Sequence, residues 1–448
     1  MSTNMSAFRK SVAGLLVGQL TRLGLQAVYF VLLARMLGAS GYGSFAAALA
    51  LSALVTPFTS LGANTLMLKN VARNNESAAS EWKRAVTYTL LGGLVLSLAI
   101  TALAGMIAPQ DLSRIALFQI AVAELIGLKL VELTGSLWQG TGRNRPLAIL
   151  PSVLNLFRLI AAAAVFLFMG EATLEMWSTL YLIATLPMGI FVTVQTTIKL
   201  GYARGGLRLR REEIKEGLQY SVGLSSQNIY NDIDKAMLAR LSSVNAAGLY
   251  SAAFRIIDMA YAPIRSVAAA AYPHFFREGE DGLRPALKLT RKISPIVALL
   301  GVSATTAAIL MAPLGPLVLG PNFTESIDII RLLAPLILLR AATFLAADTL
   351  TGSGRQGFRT LAQICVALVN IGLNLFLIPV AGIFGAVVST LVCEFLLAAT
   401  LWSHIVVVIM RTRKRSRGRR SAKKKHIRES SLLEDADNAT RTPEASRR

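Results

Sequence analysis

Two sets of ionisable residues stand where the sequence is otherwise apolar. The first is cationic: Arg22, Lys129, Arg158, Arg255, Arg265 and Arg340, each near the middle of a long run rich in Leu, Ala, Val and Ile. A guanidinium presents a planar fork of donors that matches two oxygens of one phosphate or carboxylate. Several of them around a shared space would bind an anion, and phosphate esters suit them best. The second set is acidic and amide-rich: Asp232, Asp234, Asn370, Asn374 and Glu394. Carboxylate and amide oxygens are hard ligands for a small cation, and one buried carboxylate can carry a proton. This set is the candidate site for H+ or Na+.

Each set has a plainer alternative. Arg255 and Asp258 lie one turn apart, as do Asp328 with Arg331 and Lys129 with Glu132, so neutralisation on their own helix is the alternative to ligand contact for these cations. Arg22 and Arg158 have no acidic neighbour of that kind, which makes them the foremost candidates for ligand contact. The acidic set can equally serve as polar packing between helices. Nothing points to catalysis, a cofactor or a resident metal: His274, His404 and His426 are scattered, and Cys365 and Cys393 fall in apolar windows as packing residues.

The elements that must position these residues follow from composition. Hydrophobic residues make up 54% of the chain and charged residues 16%, against roughly 25% charged in an average soluble chain. The mean hydropathy is +0.54. A bilayer core about 30 Å thick needs about 20 apolar residues per helical span, and such windows recur as far as residue 410. They are continuous runs instead of ten-residue alternations, which selects helices over a barrel. We read twelve spans: 11–36, 43–67, 85–108, 115–138, 146–169, 176–198, 217–240, 247–273, 293–319, 324–350, 357–379 and 383–410. A charge at a helix centre costs roughly 2.5–3.5 kcal/mol on insertion scales, so the buried ions must face partners or a wet central cavity.

Basic residues gather in alternate connections, around Lys69 to Arg84, Arg143 and Arg145, Lys199 to Lys215, Arg277 to Lys292, and Arg355 and Arg359. By the positive-inside rule that side is cytoplasmic, and both termini with it. The last 38 residues carry 14 Lys and Arg and 5 Asp and Glu, a net of +9. This tail, 411–448, is expected to be disordered and to lie against anionic membrane lipids, with no role in nucleic-acid binding, because no aromatic residue is interleaved with its basic ones.

The chain repeats itself. Leu33-Ala34-Arg35, Gly43, Phe45, Ala47 and Ala48 correspond at an offset of 205 to Leu238-Ala239-Arg240, Gly248, Tyr250, Ala252 and Ala253, and Pro57 and Pro263 follow at 206. The match joins the first two spans to the seventh and eighth. An even number of spans per half makes the halves parallel, as in transporters whose two bundles rock about a central cavity. The expected organisation is an all-α integral membrane protein of about twelve transmembrane helices in two six-helix bundles. Residues 1–200 form the first bundle, 201–216 a basic linker and 217–410 the second bundle.

The run LLARMLGASGYGSFAAALALSALVTPFTSLGANTLMLKNVAR, Leu32 to Arg73, resembles the opening of polysaccharide-biosynthesis membrane proteins, the Wzx-type oligosaccharide flippases of the MOP exporter superfamily. DIDKAMLARLSSVNAAGLYSAAFRIIDMAYAPI, Asp232 to Ile264, and LNLFLIPVAGIFGAVVST, Leu373 to Thr390, are similar to that family's later helix junctions. The resemblance implies a non-enzymatic flippase. Its substrate would be a polyprenyl-pyrophosphate-linked oligosaccharide, moved to the outer leaflet of a bacterial inner membrane beside a polysaccharide polymerase and glycosyltransferases. It also implies that acidic and Asn residues in the seventh, eleventh and twelfth helices serve a coupling ion. The alternatives are a multidrug or organic-cation exporter of the same superfamily, or a membrane-bound enzyme of polysaccharide assembly.

Overall fold

The computed structural model describes residues 24–411 apart from 144, 202–210, 223, 227 and 281. For 2–23, 223, 227 and 412–439 it gives the helical backbone alone, so the Arg22 side chain lies outside the described residues. Among the described residues every regular element is a helix. Seven helical stretches are by themselves long and apolar enough to cross a bilayer. Two of these are hairpins. Ser2–Val55 is interrupted at Gly38 (φ 63°, ψ −177°) and Gln356–Ala439 at Gly382 (φ 55°, ψ −128°), left-handed turns at which a β-carbon would be strained. Splitting them, and adding the helices whose charges dilute their hydropathy, gives twelve.

In chain order these are α1 (2–37), α2 (39–73), α3 (78–107), α4 (114–140), α5 (Arg145–Phe168), α6 (Leu174–Leu200), α7 (Arg211–Leu241), α8 (244–279), α9 (Leu283–Met311), α10 (326–352), α11 (356–381) and α12 (383–439). Several differ from the expected spans. α2 breaks at Pro57, passes through Leu61 (φ 48°) and Gly62 (φ 76°), and resumes as Ala63–Arg73. α8 bends at Tyr261, just before Pro263, and reaches Gly279. α3 and α9 begin at Ala78 and Leu283, seven and ten residues before the expected apolar windows, because polar sequence can continue a helix past the bilayer edge. The tail, expected to be disordered, has side chains outside the described residues from 412 on, its backbone being helical to Ala439.

The outside is apolar and the inside partly polar. Phe168, Met106, Val380, Leu310 and Phe376 are all more than 70% exposed, while Asp234, Asn370, Asn374 and Glu394 are buried. Water would not support that distribution, and lipid does.

The two halves, α1–α6 and α7–α12, meet along several contacts, two of which centre on α2. In one, α2 crosses α8 backbone to backbone: a β-carbon on Gly43 would lie 1.8 Å from the Val244 carbonyl oxygen, and one on Gly248 1.9 Å from that of Ala39. These glycines are the repeat-related pair, and equivalent residues can touch only beside the axis that relates them. The pseudo-two-fold therefore runs through this crossing. In the other seam, Pro57 removes the amide that would have bonded the Ala53 carbonyl, and α7 supplies substitutes. Asn228 Nδ2 donates to Ala53 O (2.7 Å), Ser225 Oγ to Leu54 O (2.6 Å) and Ser221 Oγ to Pro57 O (2.8 Å). The 221, 225, 228 spacing places all three on one face of α7.

Candidate functional site

Between the halves lies a cavity of about 830 Å³ with walls from α1, α2, α4, α5 and α6 on one side and α7, α8, α10, α11 and α12 on the other. One face of α8 supplies Ser251, Phe254, Arg255, Asp258, Tyr261 and Arg265 to it, at the three- and four-residue steps of a helix. The opposite face of α8, with Ile256, Met259 and Ala260, borders a separate apolar pocket of about 260 Å³.

Of the expected cations, Arg158, Arg255, Arg265 and Arg340 line the cavity. Lys129 does not: it is buried and bonded to Glu132 on its own helix at 3.0 Å. Lys235 and Arg359, the latter read from sequence as a charge flanking the eleventh span, also line it, bringing the basic side chains to six. Against them stand five carboxylates, Glu124, Asp232, Asp258, Asp348 and Glu394. Among the described residues the formal excess is a single positive charge, a small one beside the six cations that the sequence placed nearest mid-span.

The excess has an address. Arg158 Nη2 lies 2.8 Å from Glu124 Oε1, Lys235 pairs with Asp232, and Arg359 lies 3.5 Å from Asp348. Asp258 holds Arg265 at 2.6 Å and Arg340 at 3.4 Å, and Arg340 also lies 3.9 Å from Glu394. Arg255 makes no ion pair among the described residues. The partners differ from those that spacing along each helix offered. For Arg255 it offered Asp258 as the alternative to a ligand, and other arginines occupy that carboxylate. Arg158 was expected to be free, and it is held from three sides: by Glu124 of α4, by Thr185 Oγ1 of α6 at 3.0 Å, and by the face of Tyr181, 4.2 Å from its ring centroid.

Local backbone explains the Glu124 contact. α4 passes through a π turn over Ala123–Leu128, and Gly127 and Gly189 let α4 and α6 approach until a β-carbon on Gly189 would sit 2.5 Å from the Gly127 carbonyl oxygen. That approach sets Glu124 against both Arg158 and the Tyr181 hydroxyl, which donates to it at 2.5 Å.

The acidic set divides in two. Asp234, Asn370 and Asn374 form one buried cluster: Asn374 Nδ2 donates to Asp234 Oδ1 (2.7 Å) and to Asn370 Oδ1 (3.1 Å), while the hydroxyls of Thr390 (2.8 Å) and Tyr250 (3.1 Å) reach Asp234 Oδ2. The Asn374 side-chain oxygen is buried there with no partner. Asp232 and Glu394 stand apart on the cavity wall, Glu394 accepting from Tyr230 (2.5 Å) and Thr343 (2.6 Å). No cluster of His, Cys, Asp and Glu able to hold a metal occurs among the described residues.

The chain is built as two helical bundles around a central polar cavity, and solved structures share that fold. An inward-facing multidrug resistance MATE family transporter of the MOP superfamily matches with a TM-score of 0.71 at 13% identity, covering 88% of this chain and 96% of that one. An outward-facing one gives 0.59 at 14%, covering 90% and 96%. A MOP superfamily transporter from Pyrococcus furiosus, described as having a binding pocket of reversed polarity, gives 0.60 at 14% with the same coverage. No curated protein matches the chain. The family is given by sequence: residues 8–278 match the polysaccharide biosynthesis protein family, and the chain belongs to it. The stretches 32–73 and 232–264, which carried the resemblance, lie within that match; 373–390 lies beyond it.

Proposed function

We propose that this chain flips a polyprenyl-diphosphate-linked oligosaccharide across the bacterial inner membrane by alternating access, with both termini cytoplasmic and without catalysing a reaction. The observation that carries the reading is Arg255, a guanidinium on the cavity wall with no carboxylate partner among the described residues, where a diphosphate would complete it. An organic-cation exporter would need an open carboxylate. Each of the five on this wall is already within 4 Å of a cation.

The coupling ion on this reading belongs to Asp234, Asn370 and Asn374. The orphaned Asn374 oxygen beside a carboxylate suits a small cation such as Na+ better than a proton, since an oxygen ligand without a donor is what a metal cation satisfies. The test is flipping of a fluorescent polyprenyl-diphosphate sugar in proteoliposomes, normalised to inserted protein. Arg255→Ala should abolish most transport and Arg255→Lys should impair it, because the fork is lost even where the charge is kept. Asp234→Asn should remove dependence on a sodium gradient. Undiminished flipping by Arg255→Ala would refute the anion reading.

A further inference from the structure

Much of the cavity wall is neither charged nor accounted for by a phosphate. Tyr29 of α1 and Phe344 of α10 face one another's halves across the same cavity, and both are partly exposed to it. The Tyr29 hydroxyl, however, is completely covered and has no hydrogen-bond partner. What the cavity meets at Tyr29 is therefore carbon of the side chain, not its hydroxyl. Four primary amides, Gln26, Asn155, Asn231 and Gln363, also line the space, and none makes a side-chain hydrogen bond among the described residues.

A phosphate uses donors only. An amide offers donor and acceptor together, as does each hydroxyl of a sugar, while the C–H face of a sugar ring is apolar enough to lie on an aromatic ring. Resting on the lipid-linked substrate reading above, we propose that Tyr29 and Phe344, one from each half, are stacking platforms for the saccharide and that the four amides read its hydroxyls. The sugar is then recognised by a part of the wall separate from Arg255. Contacts from both halves would also make the bound headgroup a bridge between the two moving bodies.

The experiment is equilibrium binding to the full chain in nanodiscs, using decaprenyl diphosphate and its conjugates with glucose, galactose and N-acetylglucosamine. At least one conjugate should bind roughly three- to tenfold more tightly than the bare diphosphate lipid, the scale of an aromatic contact. Tyr29→Leu and Phe344→Leu should each reduce that ratio, and Asn155→Ala should reduce it too. Tyr29→Phe should preserve it, because the hydroxyl is turned into the wall. Arg255→Ala should weaken the bare lipid and the conjugates alike, leaving the ratio intact. A ratio of one for all three sugars, or a loss in Tyr29→Phe equal to that in Tyr29→Leu, would overturn the proposal. If Arg255→Ala leaves the bare lipid's affinity unchanged while the sugar ratio persists, the phosphate reading fails and this one stands.

Discussion

Arg158 and Arg255 have the same side chain on opposite walls of one cavity, and their surroundings differ completely. Arg158 is 8% exposed and enclosed by Glu124, Thr185 and Tyr181. Arg255 has an open guanidinium on a helix whose neighbouring carboxylate is claimed by two other arginines. The first is ion-paired and the second has no carboxylate partner among the described residues. Partnership separates them.

The largest effect is expected at Arg158. Breaking a buried pair from one side leaves the other charge uncompensated, typically about 3–5 kcal/mol, so Arg158→Ala should lower thermal stability and membrane abundance sharply. Replacing both partners, Arg158→Met with Glu124→Leu, should restore abundance. Failure of the double variant to recover in a detergent melting assay would mean that Arg158 does more than neutralise Glu124.

Arg255→Ala should do the reverse, leaving stability near wild type while diphosphate-lipid affinity falls roughly ten- to a hundredfold, the scale of hydrogen bonds to a charged group. A large loss of stability with unchanged affinity would exchange the roles assigned to the two arginines.

A smaller and opposite shift is expected from Asp258→Asn. Removing that carboxylate raises the formal excess on the wall and releases Arg265 and Arg340, so anionic lipid should bind several-fold more tightly, and added salt should shrink the gain because the Arg265 side chain is about half exposed. Weaker binding would show that Asp258 orients the arginines for the ligand.

The smallest effect belongs to the α2–α7 seam. Ser225→Ala removes one donor from the broken turn of α2, at a cost of about 1 kcal/mol in the melting assay and with little change in affinity. The 205-residue offset places Leu16, Leu20 and Leu23 of α1 where α7 has Ser221, Ser225 and Asn228. The equivalent break in α8 at Pro263 therefore has no such donors opposite it in sequence.

Composition, hydropathy and the 205-residue repeat were enough to establish a twelve-helix membrane protein in two parallel halves. These are properties of single helices and of their order, and the cost of exposing backbone or charge to lipid leaves few alternatives. The family was legible in the same way, in the glycine-punctuated run from Leu32 to Arg73. The cluster of Asp234, Asn370 and Asn374 was foreseen as one group, although Asp232 and Glu394 proved to stand elsewhere. Tertiary structure alone decided which ions answer which. Spacing along a helix nominated Asp258 for Arg255 and nothing for Arg158. An arginine reaches across to neighbouring helices as readily as along its own, so its partner depends on how those helices are rotated and how closely they approach. The π turn at Ala123–Leu128 and the contact of Gly127 with Gly189 bring Glu124 to Arg158, and no period in the sequence of α5 records either.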